Sequence, residues 1–180
     1  MARRDNAPRR YAEAAFEIAL RDEAVERWRA DLDSAASELE QDDLREVLAN
    51  PAIPLQERVD VADRVFRGLG DKTRNLIQLL LRRGRIEQLP RVAAEFRRLD
   101  DARNQIVHAT ATSAAPLADA EVRAVTARLE QMTGGRVELE TSVDPELLGG
   151  IVVRIGDRLI DGSVRGRLER LRQQLAAGAI

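Results

Sequence analysis

Apolar residues recur every three or four positions along the first hundred residues, and every second position soon afterwards. No single regular element satisfies both periods. The first demands helices with one buried face, the second strands with one buried side. The chain is therefore read as a helical part followed by a part that contains a sheet, with a boundary near residue 105.

In the helical part, Pro8 suits a first helical turn, and Tyr11, Ala14, Ala15, Ile18 and Ala19 follow at steps of three and four. The alanines make this face thin, so another helix can approach closely. A second helix is predicted from near Asp22, with a stripe of Val25, Trp28, Leu32, Ala35 and Leu39. A short third carries Leu44, Val47 and Leu48 and ends at Asn50-Pro51, because the residue before proline is pushed out of the helical region. Pro54 can open a fourth, with Leu55, Val59, Ala62, Phe66 and Leu69 inward. Asp71 is a plausible N-cap for the fifth, whose run Leu76-Ile77-Gln78-Leu79-Leu80-Leu81 is apolar nearly all round and has to be covered on most sides. A sixth uses Ile86, Leu89, Val92, Phe96 and Leu99. Six helices with short connections describe an all-α bundle.

From Asn104, Val107, Ala109 and Ala111 alternate with His108, Thr110 and Thr112, which reads as a strand. A helix with Ala118, Val122, Val125, Leu129 and Met132 stops at Gly134-Gly135, and Val137, Leu139 and Thr141 form a second alternating run. Strand, helix, strand is a crossover unit, expected to be right-handed. Ile151–Ile155, a Gly156-Asp157 turn and Leu159-Ile160 read as a hairpin. A last helix from about Ser163 presents Val164, Leu168, Leu171 and Leu175 on one face. The fold class is α+β in two domains: a six-helix bundle over residues 1–105, then a small α/β domain over 106–180 with a mixed sheet and a terminal helix.

Composition removes most chemistry. At 180 residues and no cysteine, disulfides, thiolate metal sites and thiol nucleophiles are excluded, and the one histidine, His108, cannot supply the imidazoles of most zinc sites. The 29 basic and 31 acidic side chains are evenly mixed along the chain, so neither part is a basic nucleic-acid domain. No segment approaches the roughly 18 consecutive apolar residues of a membrane span. The start carries four arginines but no apolar run after them, so no secretory signal is read and a cytoplasmic home is expected.

Individual motifs fare no better. Gly68-Leu69-Gly70-Asp71-Lys72-Thr73 lacks the glycine that a phosphate loop needs just before its lysine, and Asp71 would repel phosphate. It reads as a turn between helices. Ser163 lies in Asp161-Gly162-Ser163-Val164-Arg165 rather than in G-x-S-x-G, and is expected to start the last helix. The acid pairs Asp22-Glu23, Asp42-Asp43 and Asp100-Asp101 are read as solvated faces or helix ends. No cofactor is expected. The thin face of the first helix and the over-apolar fifth leave two readings open: both are core, or an apolar groove between them takes a partner's amphipathic helix.

The run from Val143-Asp144-Pro145-Glu146-Leu147-Leu148-Gly149-Gly150 through Ile151-Val152-Val153-Arg154-Ile155-Gly156-Asp157 to Leu159-Ile160-Asp161-Gly162-Ser163-Val164-Arg165-Gly166-Arg167-Leu168 closely resembles the signature of the bacterial ATP synthase delta subunit, the family that includes the mitochondrial oligomycin sensitivity conferring protein. Arg10-Tyr11-Ala12-Glu13-Ala14, Asn50-Pro51 with Pro54, Arg82-Arg83-Gly84-Arg85, Leu89-Pro90, Phe96 and the Thr112 to Leu117 junction match in the same order.

The resemblance implies a non-catalytic stator component of a rotary proton-translocating ATP synthase. It would link the catalytic head to the peripheral stalk, on the cytoplasmic face of the bacterial plasma membrane. The first domain would grip the N-terminal helix of the α subunit in a groove between the first and fifth helices, through Tyr11, Ala14, Ala15, Ile18, Leu76, Leu79, Leu80 and Arg83. The second would contact the C-terminal region of the stalk's b subunit, with Val164, Leu168, Leu171 and Leu175 as the named face. The partners are thus proteins, with no nucleic acid and no direct membrane span. The alternative is a free-standing helical adaptor unrelated to ATP synthase. A nucleotide-binding enzyme built on the strand–helix–strand unit is disfavoured, because Ser113-Ala114-Ala115-Pro116 offers no glycine after the first strand.

Overall fold

The computed structural model describes residues 6–177. Its elements are α1 (Ala7–Arg21), α2 (Val25–Leu39), α3 (Asp42–Ala49), α4 (Leu55–Val65), α5 (Asp71–Arg82), α6 (Leu89–Arg103), β1 (Ile106–Ser113), α7 (Asp119–Thr133), β2 (Arg136–Val143), β3 (Ile151–Ile155), β4 (Arg158–Asp161) and α8 (Val164–Ala177). The class is α+β. The chain divides into two compact units between Asp100 and Asp101, within α6.

In the first unit α1 buries Pro8, Ala12, Ala15 and Ala19. That stripe differs from the sequence reading, which followed the larger Tyr11 and Ile18 and passed over Ala12. Fully buried alanines let neighbouring helices approach closely, so the small residues form the core contact. Trp28 stacks on Phe96 with ring centres 6.2 Å apart, and Phe16 meets the same ring edge-on at 5.3 Å. Leu32, Leu39, Leu48, Ile77, Leu80, Leu81, Leu89 and Val92 complete this core.

Helix ends explain several departures from the expected boundaries. α2 starts at Val25, not near Asp22, because Asp22 and Glu23 close α1. Glu23 adopts φ 53°, its N–H donates to Leu20 O (3.2 Å), and Ala24 N–H donates to Ala19 O (2.9 Å). Asp71 is the first residue of α5 rather than its cap. Asp31 on α2 does the capping from outside: its Oδ2 accepts from Gly70 N–H (2.8 Å) and from the buried Thr73 hydroxyl (3.0 Å). The glycine-rich turn thus serves helix–helix packing. Asn50 leaves the helical region at ψ 113° ahead of Pro51, as expected. Leu55 is exposed, and Ile86 opens a short 3₁₀ turn before α6 instead of the helix itself.

The second unit holds a mixed four-stranded sheet in the order β2-β1-β3-β4. β1 and β2 run parallel, with Ala109 opposite Leu139, and α7 connects them. β3 pairs antiparallel with both β1 and β4. One face carries Ala109, Ala111, Val137 and Val153, packed with Leu129 of α7. Met132, expected inward, is exposed. Gly156 at φ 54° makes the two-residue hairpin turn possible. Gly150 combines φ 78° with a close approach of backbone: a Cβ there would lie 2.5 Å from Gly162 O. This explains the glycine pair in the signature run. Ser163 starts α8 as expected, its Oγ accepting from Gly166 N–H at 2.9 Å.

Candidate partner-binding groove and helix face

The side of α1 turned from the core and one edge of α5 enclose an apolar groove of about 380 Å³. Tyr11, Ala14, Ala15, Ile18, Leu76 and Leu79 line it, together with Trp28 and the polar residues Arg21, Lys72 and Asn75. Ala14 is exposed and Leu79 retains 41 % of its surface.

The over-apolar run of α5 is thereby resolved. Thr73, Ile77, Leu80 and Leu81 point into the core, whereas Leu76 and Leu79 face the groove. Of the eight groove residues read from the sequence, six line it. Leu80 does not: it is 0 % exposed and belongs to the core. Arg83 is exposed at the C-terminal cap of α5, outside the lining. Sequence reading missed Arg21, Trp28, Lys72 and Asn75. Helical spacing held the signal, since Lys72, Asn75, Leu76 and Leu79 recur at i, i+3, i+4 and i+7, and Arg21 follows Ile18 by three.

The groove's electrostatics are asymmetric, because no carboxylate is among its lining residues while two cations are. Both cations are held by Asp22 nearby, through a short bond from Lys72 Nζ and an Arg21 Nε contact at 3.7 Å. The Lys72 bond, with lesser help from both cations' charge, holds the Asp22 carboxyl below its ordinary range.

In the second unit, Val164, Leu168, Leu171 and Leu175 of α8 are all exposed, so they do not cover the sheet. Ser163 and Asp161 anchor the start of that helix. Asp161 Oδ1 accepts from Ser163 N–H (2.8 Å) and Ser163 Oγ–H (2.7 Å), which lowers the Asp161 carboxyl's pKa. The sheet face opposite α7 bears a shallow depression of about 280 Å³ lined by Thr110, Thr112, Val152, Arg154 and Leu159.

Catalytic geometry is not assembled at the residues weighed from sequence. His108 is half exposed, with Nε2 2.9 Å from Asp101 Oδ2 and Nδ1 3.5 Å from Glu138 Oε2. No group of acidic and histidine side chains among the described residues is arranged to hold a metal ion. Asp100 and Asp101 correct the sequence reading, since both are buried, at 6 % and 8 % exposure, rather than solvated. Asp100 accepts from Arg29 Nη1 at 2.9 Å. Adjacent acids on a helix point in different directions, so each meets a different partner.

The family described as ATP synthase delta (OSCP) subunit matches residues 7–175. The chain belongs to that family. It is 36 % identical over 173 residues to the ATP synthase subunit delta of Geobacter metallireducens, covering 94 % of this chain and 96 % of the relative. To the subunit of the same name in Anaeromyxobacter sp. it is 39 % identical over 170 residues, covering 93 % and 95 %. Its fold also resembles a chain in the mitochondrial ATP synthase hexamer of Toxoplasma gondii. The TM-score is 0.67 with 24 % identity, over 94 % of this chain and 97 % of that one. As a member of the delta family the chain is a structural, non-catalytic subunit of an ATP synthase, and the unrelated-adaptor alternative is not supported. Among the described residues, no helix is long and apolar enough to cross a membrane.

Proposed function

We propose that the chain is a clamp in the ATP synthase stator, and that the groove between α1 and α5 receives the amphipathic N-terminal helix of the α subunit. The six helices act as one bundle for this purpose, corresponding to residues 1–105. Residues 106–180 engage the b subunit of the peripheral stalk through the open face of α8. The clamp works at the cytoplasmic face of the membrane, as a peripheral part of the complex.

The observation that carries this reading is the preformed groove: a leucine left 41 % exposed and an exposed alanine line it, on two helices that are each anchored in the core by a separate buried stripe. The core contacts hold α1 and α5 in place without the partner, so little ordering is needed on binding. Ala14 and Ala15 allow a guest helix to approach closely, and Tyr11 offers an aromatic anchor. A helix buried in such a groove reaches nanomolar affinity at about -12 kcal/mol. A stator held under torque needs slow dissociation, and that is where related interfaces are tuned.

Calorimetry of the intact chain with a synthetic peptide of the cognate α subunit's N-terminal segment tests the assignment. Saturable one-to-one binding is expected. Absence of heat at micromolar concentrations, or a complex unaffected by substitutions at Ala14 and Leu79, would reject it.

A further inference from the structure

The open face of α8 has a spacing more specific than exposure alone. Val164, Leu168, Leu171 and Leu175 follow at steps of four, three and four, the seam of a two-stranded coiled coil. With Val164 and Leu171 at d and Leu168 and Leu175 at a, the positions beside the seam are Arg165 and Arg172 at e and Arg167 and Gln174 at g. Three flanks are cationic and none is acidic. Across the helix's 14 residues four arginines stand against one glutamate. Arg167 and Arg172 have no carboxylate partner among the described residues, and Arg165 reaches only the exposed Glu146 (3.3 Å) and Glu169 (3.6 Å).

We infer that α8 is one strand of a heteromeric coiled coil whose other strand carries its own four-three apolar seam flanked by Glu or Asp. This rests on the reading of α8 as the stalk-side docking face and names the chemistry that face selects. The contact spans two heptads, about 21 Å. A second copy of this chain is the wrong partner. In a parallel pair Arg167 would face Arg172 of the other copy, and an antiparallel pair would set Arg165 against Arg172 at e and Arg167 against the uncharged Gln174 at g, so neither arrangement gives the arginines a carboxylate. An anionic bilayer would attract the same arginines. A helix that lies in lipid, however, buries a broad apolar face with aromatic anchors, whereas this seam is narrow and α8 has no aromatic residue.

The test uses the intact chain and two labelled four-heptad peptides with Ile and Leu at the seam, one with Glu and one with Lys at every flank. The Glu peptide is expected to bind, and the Lys peptide at least about tenfold more weakly, a gap that narrows as salt screens the flanks. Leu168→Asp with Leu171→Asp should abolish binding of the Glu peptide without changing the circular dichroism, since both leucines are exposed. Equal binding of both peptides, or binding of neither, overturns the inference. Preference of the chain for phosphatidylserine vesicles over the Glu peptide overturns it in favour of lipid. The soluble part of the cognate b subunit is then titrated against the leucine variant and against Arg165→Glu, Arg167→Glu, Arg172→Glu. Loss with both supports the inference. Loss with the leucine variant alone overturns the acidic partner while the docking reading survives; loss with neither removes the docking reading as well.

Discussion

Replacing Ala14 by aspartate separates the two faces of α1. Ala14 lines the groove and is exposed, while Ala12, Ala15 and Ala19 make the core contact. Within the free chain the change costs only helix propensity, about 0.5 kcal/mol, partly offset by Arg10 one turn earlier. In the complex the new carboxylate would lie under the guest helix. Burying an uncompensated charge costs several kcal/mol, and the two lining cations are already engaged with Asp22. A loss of about 3 kcal/mol or more, over a hundredfold in Kd, is expected. Calorimetry with the α-subunit peptide reads the affinity, and a urea melt of the same sample reads the fold. Unchanged affinity in a folded Ala14→Asp protein would refute the groove assignment. A large drop in urea midpoint would refute the division between groove face and core face.

Leu80→Ala should behave in the opposite way. It removes a fully buried side chain, so stability falls by about 2 to 5 kcal/mol while the folded fraction still binds the peptide with unchanged Kd. Asp31→Ala should cost about 2 to 4 kcal/mol in urea unfolding, because Gly70 N–H and the buried Thr73 hydroxyl lose their shared acceptor. Asp161 titrates below the ordinary carboxylate range in the folded state. Its contribution to stability is therefore complete above about pH 4 and fades as pH falls through the folded value. Asp161→Asn should flatten that acid limb of the stability–pH curve; an unchanged limb would show that the Ser163 bonds do not stabilise the ionised form.

The period change near Asn104 made the α+β architecture legible, because three-four spacing and alternation bury different faces. The order of elements, the Gly156-Asp157 hairpin and the Ser163 helix start followed from local chemistry. Other features depended on partners distant in sequence. The α1 core stripe runs through Ala12 because α1 meets its neighbours by small residues, and size-weighted spacing favours Tyr11 and Ile18 instead. Asp71 looked like a cap from its own neighbourhood, whereas Asp31, 39 positions before Gly70, supplies the acceptor. Leu80 and Leu79 are adjacent and equally apolar, and only packing sends one to the core and the other to the groove. The cations Arg21 and Lys72 were passed over because charged residues at helical spacing read as solvent side. Charge counted over whole domains also hid the arginine cluster of α8, because carboxylates of α7 (Asp119, Glu121, Glu130) and of the connecting loops (Asp144, Glu146, Asp157) balance it.

The most direct test of the clamp is association of the intact chain with the assembled catalytic head before and after removal of the α subunit's N-terminal segment. Tight binding to the complete head and none to the trimmed one is the expected result. Equal binding to both would place the grip elsewhere and leave the groove between α1 and α5 without its role.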